Sequence, residues 1–284
     1  MSRRLANLFQ GRPRLQVGAL LAGPVGWLVV GYLGSLAVLL IAAFWSVDPL
    51  SGEVVQGLSF ENFETLYNEP VYRDIIGRTV LIAALVTITD AILAFPIAFY
   101  MAKVASRRGK AVLVVAILLP LWSSYLVKVY AWRTMLSAGG VVNWALEPFG
   151  LSGPGFGATA VWLVMSYLWL PYMILPIYAG LERIPNSLIS ASEDLGASPF
   201  TTFRRVILPL AFPAVVAGSI FTFALTLGDY ITPRLVSNDQ FIGNVIFNNI
   251  SNNLPFASAL ALVPIVVMIA YLMVARKLGA FEHI

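Results

Sequence analysis

Cysteine is absent from the 284 residues, and histidine occurs once, at His283. Disulfides, thiolate metal sites and thiol catalysis are thereby excluded. A single imidazole supports neither a histidine zinc site nor a Ser-His-Asp relay, so the sequence offers no catalytic residue and no metal site. Charge is scarce as well: Asp, Glu, Lys and Arg make up 11% of the chain, against about 25% in an ordinary soluble domain. No Gly-x-x-x-x-Gly-Lys-Ser/Thr run occurs, so the chain has no Walker-type phosphate loop with which to bind ATP.

What is present is apolar: 59% of residues are hydrophobic. A soluble chain of that composition has too few polar groups to cover its surface, so lipid is the solvent for much of it. A spanning helix needs roughly 20 predominantly apolar residues. Six such runs lie near 20–45, 79–101, 111–131, 158–181, 210–231 and 254–275. All are expected to be helices, because an open strand in lipid leaves its backbone groups unpaired. The expected fold is therefore an all-α membrane protein of six transmembrane helices. Its expected parts are an N-terminal segment 1–19, a membrane domain 20–276 and a tail 277–284. The N-terminal run follows Arg3, Arg4, Arg12 and Arg14 like a signal peptide, but it is too long for one and is read as a retained first span. Pro96, Pro120, Pro171, Pro176 and Pro264 lie within spans and mark either kinks or the ordinary tolerance of membrane helices for proline.

Lysine and arginine set the orientation. Of 18 such residues, one side of the six-span arrangement takes Arg3, Arg4, Arg12, Arg14, Lys103, Arg107, Arg108, Lys110, Arg183, Arg204, Arg205, Arg276 and Lys277. The other takes Arg73, Arg78, Lys128, Arg133 and Arg234. Both termini are thus expected in the cytoplasm. This scatter also explains the net charge of +4 without nucleic acid as a partner. The external loop after the first span is acidic (Asp48, Glu53, Glu61, Glu64, Glu69, Asp74): either a partner surface or a solvated loop.

The most informative segment joins the fourth and fifth spans, 182–209. Pro185 suits the first turn of a helix that runs to about Leu195. Gly196 is the natural left-handed residue to end it. Ser198-Pro199 restarts a helix as N-cap and first-turn proline, and Phe200, Phe203 and Val206 or Ile207 fall on one face. Arg204 and Arg205 reach toward headgroups, and Pro209 marks the start of the fifth span. Small residues (Ser190, Ala191, Ser192, Gly196, Ala197) permit close approach of another surface. On physical grounds alone, docking on a protein and resting on lipid are equal readings.

This segment resembles the EAA motif of ABC-importer permeases. Ala191, Leu195, Gly196, Ala197, Ser198, Phe203, Leu208 and Pro209 match in order and spacing. The family's Glu is Ser190 here and its second Ala is Ser192; Glu193 and Asp194 lie nearby. The resemblance implies a type I, MetI-like importer permease fold in the bacterial cytoplasmic (inner) membrane. It implies that Ser190, Ala191, Asp194, Leu195, Gly196, Ala197, Ser198 and Phe203 form a loop coupled to an ATPase. The implied partners are a second permease, two ATPase subunits that bind ATP and Mg, and an external substrate-binding protein; this chain itself carries no cofactor.

Over about 60–275 the chain resembles the spermidine/putrescine permeases of the first-subunit type, through 120–132 (with Lys128 where the family usually has Arg), 227–233 and 242–246. Iron and thiamine permeases share parts of these segments. Independently, Asp90 sits near mid-span, where a charge costs on the order of 3 kcal/mol, and Asp229 beside Tyr230 lies near the outer end of the fifth span. Carboxylates and aromatic faces both attract ammonium groups. Asp90, Asp229, Tyr230, Trp122 and Tyr125 are thus candidates for a cationic-substrate path. Alternatively Asp90 hydrogen-bonds a neighbouring helix, and Trp122 and Tyr125 belong to an interfacial belt. Outside the importer class, a secondary transporter predicts inverted repeats, which the two halves do not show. A membrane-embedded enzyme is made remote by the lack of cysteine and of a usable histidine.

Overall fold

The computed structural model describes residues 13–277. The N-terminal segment through residue 12, with Arg3, Arg4 and Arg12, and the tail from residue 278, with His283, lie outside the described residues. Among the described residues five helices are long and apolar enough to cross a membrane, or six if a sharply bent pair counts as one span. The described chain divides into two compact units, 13–65 with 249–262, and 66–248 with 263–277.

In the first unit, α1 (Leu20–Ala42) is 6% buried over its apolar window. A helix apolar on all sides and bare of protein contacts is a membrane span rather than a core helix. The turn that follows it is held by Asn62, whose amide donates to Ala43 O (3.1 Å) and Trp45 O (2.8 Å). Asn62 belongs to α2 (Glu61–Asn68). Phe44, Phe60 and Phe63 cluster beside it, with ring centroids 5.1 to 6.3 Å apart. A short hairpin of β1 (Ser46–Val47) and β2 (Val54–Val55) closes through Asp48. The backbone N–H groups of Ser51 and Leu50 hold its carboxyl below the usual carboxylate range.

The second unit is built on α3 (Pro70–Val104), α7 (Ala158–Arg183) and α9 (Pro199–Gly228). Val86, Ala94 and Ala98 of α3 are fully buried, as are Val164, Met173 and Ile177 of α7 and Ala211 of α9. Close approach is needed between α7 and α9. A Cβ at Gly218 would fall 2.8 Å from Met173 Sδ and 3.2 Å from its Cα and O, and one at Gly180 would collide with the Ala214 methyl. Without a hydrophobic drive between helices in lipid, such small-residue contacts carry the association. Gly218→Val is expected to cost about 1–3 kcal/mol by overpacking. A lowered melting temperature and folded yield in detergent, with Gly228→Ala as a control at an open position, would check it.

Two departures from the expected spans have local causes. The third span, expected as one helix over 111–131, is α4 (Arg107–Trp122) and α5 (Tyr125–Leu136), bent by 91°. Ser123 and Ser124 are extended at the bend. Pro120 O collects the Ser123 N–H (3.3 Å), the Ser123 hydroxyl (2.7 Å) and the Lys128 ammonium (3.1 Å). Serine thus offers the backbone a local alternative to the next helical bond. Pro96, Pro171, Pro176 and Pro264, by contrast, lie within continuous helices. The second departure concerns the fifth span, which starts at Pro199 rather than near 210. A π-turn over Phe203–Ile207 joins the expected surface helix to the span without a break. That wide turn sits just before Pro209, which has no N–H to donate to the turn before it.

The remaining elements of this unit are α6 (Val141–Leu146), α8 (Asn186–Asp194), α10 (Ile231–Val236) and α11 (Ile242–Asn249), and α12 (Leu254–Lys277) contributes its second half. Ile242 N–H donates to Thr79 Oγ1 (3.1 Å), and Arg78 pairs with Asp239 (3.5 Å), which fixes the α10–α11 connection against α3.

Candidate functional site

Two constellations stand out. The first is the helix–turn–helix between α7 and α9. Ile184 and Pro185 are extended, and α8 begins at Asn186, so Pro185 precedes the helix rather than opening it. Leu195 caps α8, and Gly196 has φ +79°, a conformation glycine adopts without the steric cost other residues bear. Gly196 N–H donates to Glu193 O (2.8 Å) and Ala197 N–H to Ser192 O (3.1 Å). Ser198 Oγ then accepts from Thr201 N–H (3.3 Å) as the N-cap of α9. A hydroxyl contact between Ser192 and Thr202 (3.0 Å) ties the two arms together.

This turn presents apolar side chains to the outside. Leu195 is 89% exposed and Phe200 70%. Ser190, Ala191, Glu193, Asp194, Gly196 and Ser198 are also exposed, and Ala197 is half-buried. Phe203 departs from its expected face. It turns inward and meets Phe95 of α3 edge-on, at 5.4 Å and 88°, while Thr202 and Ile207 are buried beside it. The π-turn that begins at Phe203 separates it from Phe200. The face expected to hold Phe200, Phe203 and Ile207 together is therefore split: Phe200 points out, and the other two anchor the loop.

The second constellation is a cavity of about 350 Å³ lined by Tyr125, Trp169, Ala224, Leu225, Gly228, Asp229 and Tyr230. Asp229 follows α9 and organises it. Its Oδ1 accepts from the backbone N–H of Ile231 (2.9 Å) and Thr232 (3.2 Å), capping α10. Its Oδ2 accepts from the Thr232 hydroxyl (2.7 Å) and the Tyr125 hydroxyl (2.5 Å). Two carboxylate oxygens offer about four lone-pair sites, so the carboxylate is saturated. Held this way, Tyr125 stacks on Trp169 at 5.9 Å and 13°. Tyr230 stacks on Phe247 at 4.8 Å, and the Arg234 guanidinium lies 4.8 Å from the Phe247 ring centre. Gly243 makes this possible, because a Cβ there would fall 2.9 Å from Asp229 O and Tyr230 Cβ.

Of the five substrate-path candidates, the structure brings Tyr125, Asp229 and Tyr230 together. Trp122, 89% exposed, faces outward just before the bend and does not line this cavity. Asp90 is 0% exposed inside the α3–α7–α9 packing and does not line it either. Among the described residues, neither Asp90 oxygen has a hydrogen-bond partner. Trp169, Thr232, Phe247 and Gly243 are additions that sequence reading missed. A tryptophan far from either span end, and a glycine inside a short amphipathic helix, were the available signals.

A family model described as a binding-protein-dependent transport system inner membrane component matches residues 75–279. The inner membrane ABC transporter permease protein YdcU of Escherichia coli (strain K12) is 44% identical, over 98% of this chain and 95% of its own. The spermidine/putrescine transport system permease protein PotB of Haemophilus influenzae is 32% identical, over 72% of this chain and 74% of its own. Among solved structures, a bacterial ABC transporter involved in the import of the acidic polysaccharide alginate matches with a TM-score of 0.71 at 17% identity, covering 97% of this chain and 99% of that one. The inward-facing MetNI methionine ABC transporter matches at 0.57 and 16% identity, covering 74% and 96%.

Proposed function

This chain belongs to the binding-protein-dependent transport system inner membrane component family, and from that membership we propose that it is one of two permease subunits of an importer that carries polyamines such as spermidine and putrescine. It is a transport subunit and not an enzyme; ATP hydrolysis belongs to a separate subunit of such importers. The partners we infer are a second permease, two ATPase subunits that bind ATP and Mg, and an external binding protein that delivers cargo. The lysine and arginine distribution supports cytoplasmic termini and a cytoplasmic α8 turn. The apolar runs support the division into a segment 1–19, a membrane domain 20–276 and a tail 277–284.

The observation that carries the cargo reading is the cavity of Tyr125, Trp169, Tyr230 and Asp229. Aromatic faces attract ammonium groups by their quadrupole, and a polyamine presents such groups along an apolar stem. Asp229 supplies negative charge, while its four hydrogen bonds make it the fixture that orients the ring of Tyr125 and the start of α10. The name of the PotB relatives favours the same cargo. ATP closes the ATPase pair, the docked α8 turns move with it, and the permease pair alternates between outward- and inward-facing states. ATP drives this only by binding one arrangement better than the other.

The deciding experiment is uptake into proteoliposomes holding the complete complex, with labelled spermidine or putrescine and the binding protein outside. Uptake is expected to require ATP within the ATPase compartment and to be blocked by excess unlabelled polyamine. Transport of ferric iron or thiamine that excess polyamine leaves untouched would overturn the cargo reading.

A further inference from the structure

The α8 turn must deliver its movement to the spans, and its connection to α7 is weak. Ile184 and Pro185, the residues between α7 and α8, are extended. Pro185 has no N–H to contribute, so no helical hydrogen-bond ladder runs through the joint. A stiff element joined through two extended residues pivots there instead of pulling.

The joint is bridged from another helix. Lys103, in the π-turn that ends α3, donates from Nζ to Ile184 O (2.6 Å) and to Asn186 Oδ1 (3.2 Å). One ammonium thus holds the last carbonyl before Pro185 and the first side chain of α8. The far arm is attached to α3 as well, through the Phe203–Phe95 contact. The two attachment points on α3 are eight residues apart, about 12 Å along the helix. A body fixed at two such points cannot pivot about Pro185 without carrying α3 with it. The end of α7 is held elsewhere: Glu182 pairs with Lys110 of α4 (2.9 Å) and accepts from Tyr178 (3.1 Å).

We propose that Lys103 is a positioning residue for energy coupling: it fastens the start of α8 to α3, so that a docked ATPase moves α3 rather than pivoting the turn about Pro185. This rests on the importer reading above but not on the identity of the cargo. Lysine suits the task because its flexible stem lets one point charge reach two acceptors on a different element.

The test uses the assembled complex, comparing basal ATPase activity, its stimulation by loaded binding protein, and uptake per ATP. Lys103→Met keeps the apolar stem and removes the donor. Assembly and basal hydrolysis are expected at wild-type levels, because Lys103 lies off the exposed Leu195–Phe200 surface. Stimulation and uptake per ATP are expected to fall about tenfold, the scale of a lost charge-assisted hydrogen bond. Lys103→Arg is expected to recover most of both, and Asn186→Ala, which loses only the longer bond, to lose about two- to threefold. Wild-type stimulation and uptake per ATP in Lys103→Met would overturn the proposal. If Lys103→Met does not assemble, full coupling in Asn186→Ala together with no recovery in Lys103→Arg would overturn it. The stimulation ratio is read with whatever cargo the binding protein holds. A wild-type complex that is stimulated but takes up no polyamine therefore refutes the cargo alone.

Discussion

Leu195→Asp is expected to abolish assembly with the ATPase and, with it, uptake, while the permease itself folds normally. Leu195 caps α8 and is 89% exposed, so its replacement removes no intramolecular contact of note. Surface changes of that kind usually stay within about 0.5 kcal/mol of the parent. A protein groove that receives the side chain changes the arithmetic. A central apolar anchor is worth about 2 kcal/mol or more in such interfaces, and burying an unpaired carboxylate adds its own penalty. A loss of at least about 30-fold in ATPase affinity follows, measured by co-purification or by titration of detergent-solubilised permease. Leu195→Trp separates docking from resting on lipid. Tryptophan is favoured at a membrane interface, so a lipid-resting turn tolerates it, whereas a groove shaped for leucine loses affinity to overpacking. Full ATPase binding by Leu195→Asp would remove this surface from the interface. Ser190, where the family motif has Glu, is exposed on the same helix. The surface therefore lacks that acid, and Glu193 and Asp194 are the carboxylates left on α8.

Asp229→Asn is expected to reduce polyamine uptake about 10- to 100-fold with assembly intact, the scale of losing an opposite charge within several ångströms of a cation in a partly buried site. The amide oxygen retains the acceptor for Ile231 and Thr232, so the α10 cap survives; the negative charge does not. Asp229→Ala removes the cap too, at about 1 kcal/mol, and takes the acceptor from Tyr125, so folded yield is expected to fall along with uptake. Tyr125→Phe keeps the stack on Trp169 and loses only the hydroxyl, and should cost about threefold or less. The three variants measured together separate charge from scaffold. Equal losses in Asn and Ala with no dependence on cargo charge would make Asp229 a structural cap and nothing more. Normal polyamine uptake by Asp229→Asn would remove its charge from the cargo path.

Local chemistry was readable along the chain. The α8 turn came out nearly residue by residue, because a glycine at φ > 0, a serine cap and a first-turn proline are choices made by neighbouring residues. The apolar runs placed most spans for the same reason, since lipid demands a contiguous stretch. The failures lie where a residue's partner is distant in sequence. Nothing near Phe203 says that Phe95 of α3 waits for it, so helical spacing alone puts it on one face with Phe200. Asp229 and Tyr125 are 104 residues apart, and their contact depends on the bend at Ser123 and Ser124, which a hydropathy window averages away.

The sequence by itself determined the solvent, the apolar runs long enough to cross it, the lysine and arginine bias between the loops and the shape of the α8 turn, all of which follow from composition and short-range stereochemistry. Only the tertiary structure decided that Asp90 is sealed within the helix packing, that Asp229 is a saturated fixture among aromatic rings, and that the turn hangs from α3 through Lys103. Those three outcomes are set by which helix faces meet. In a chain this uniformly apolar the pattern of hydrophobicity carries little information about faces, because lipid and protein interior look alike to it.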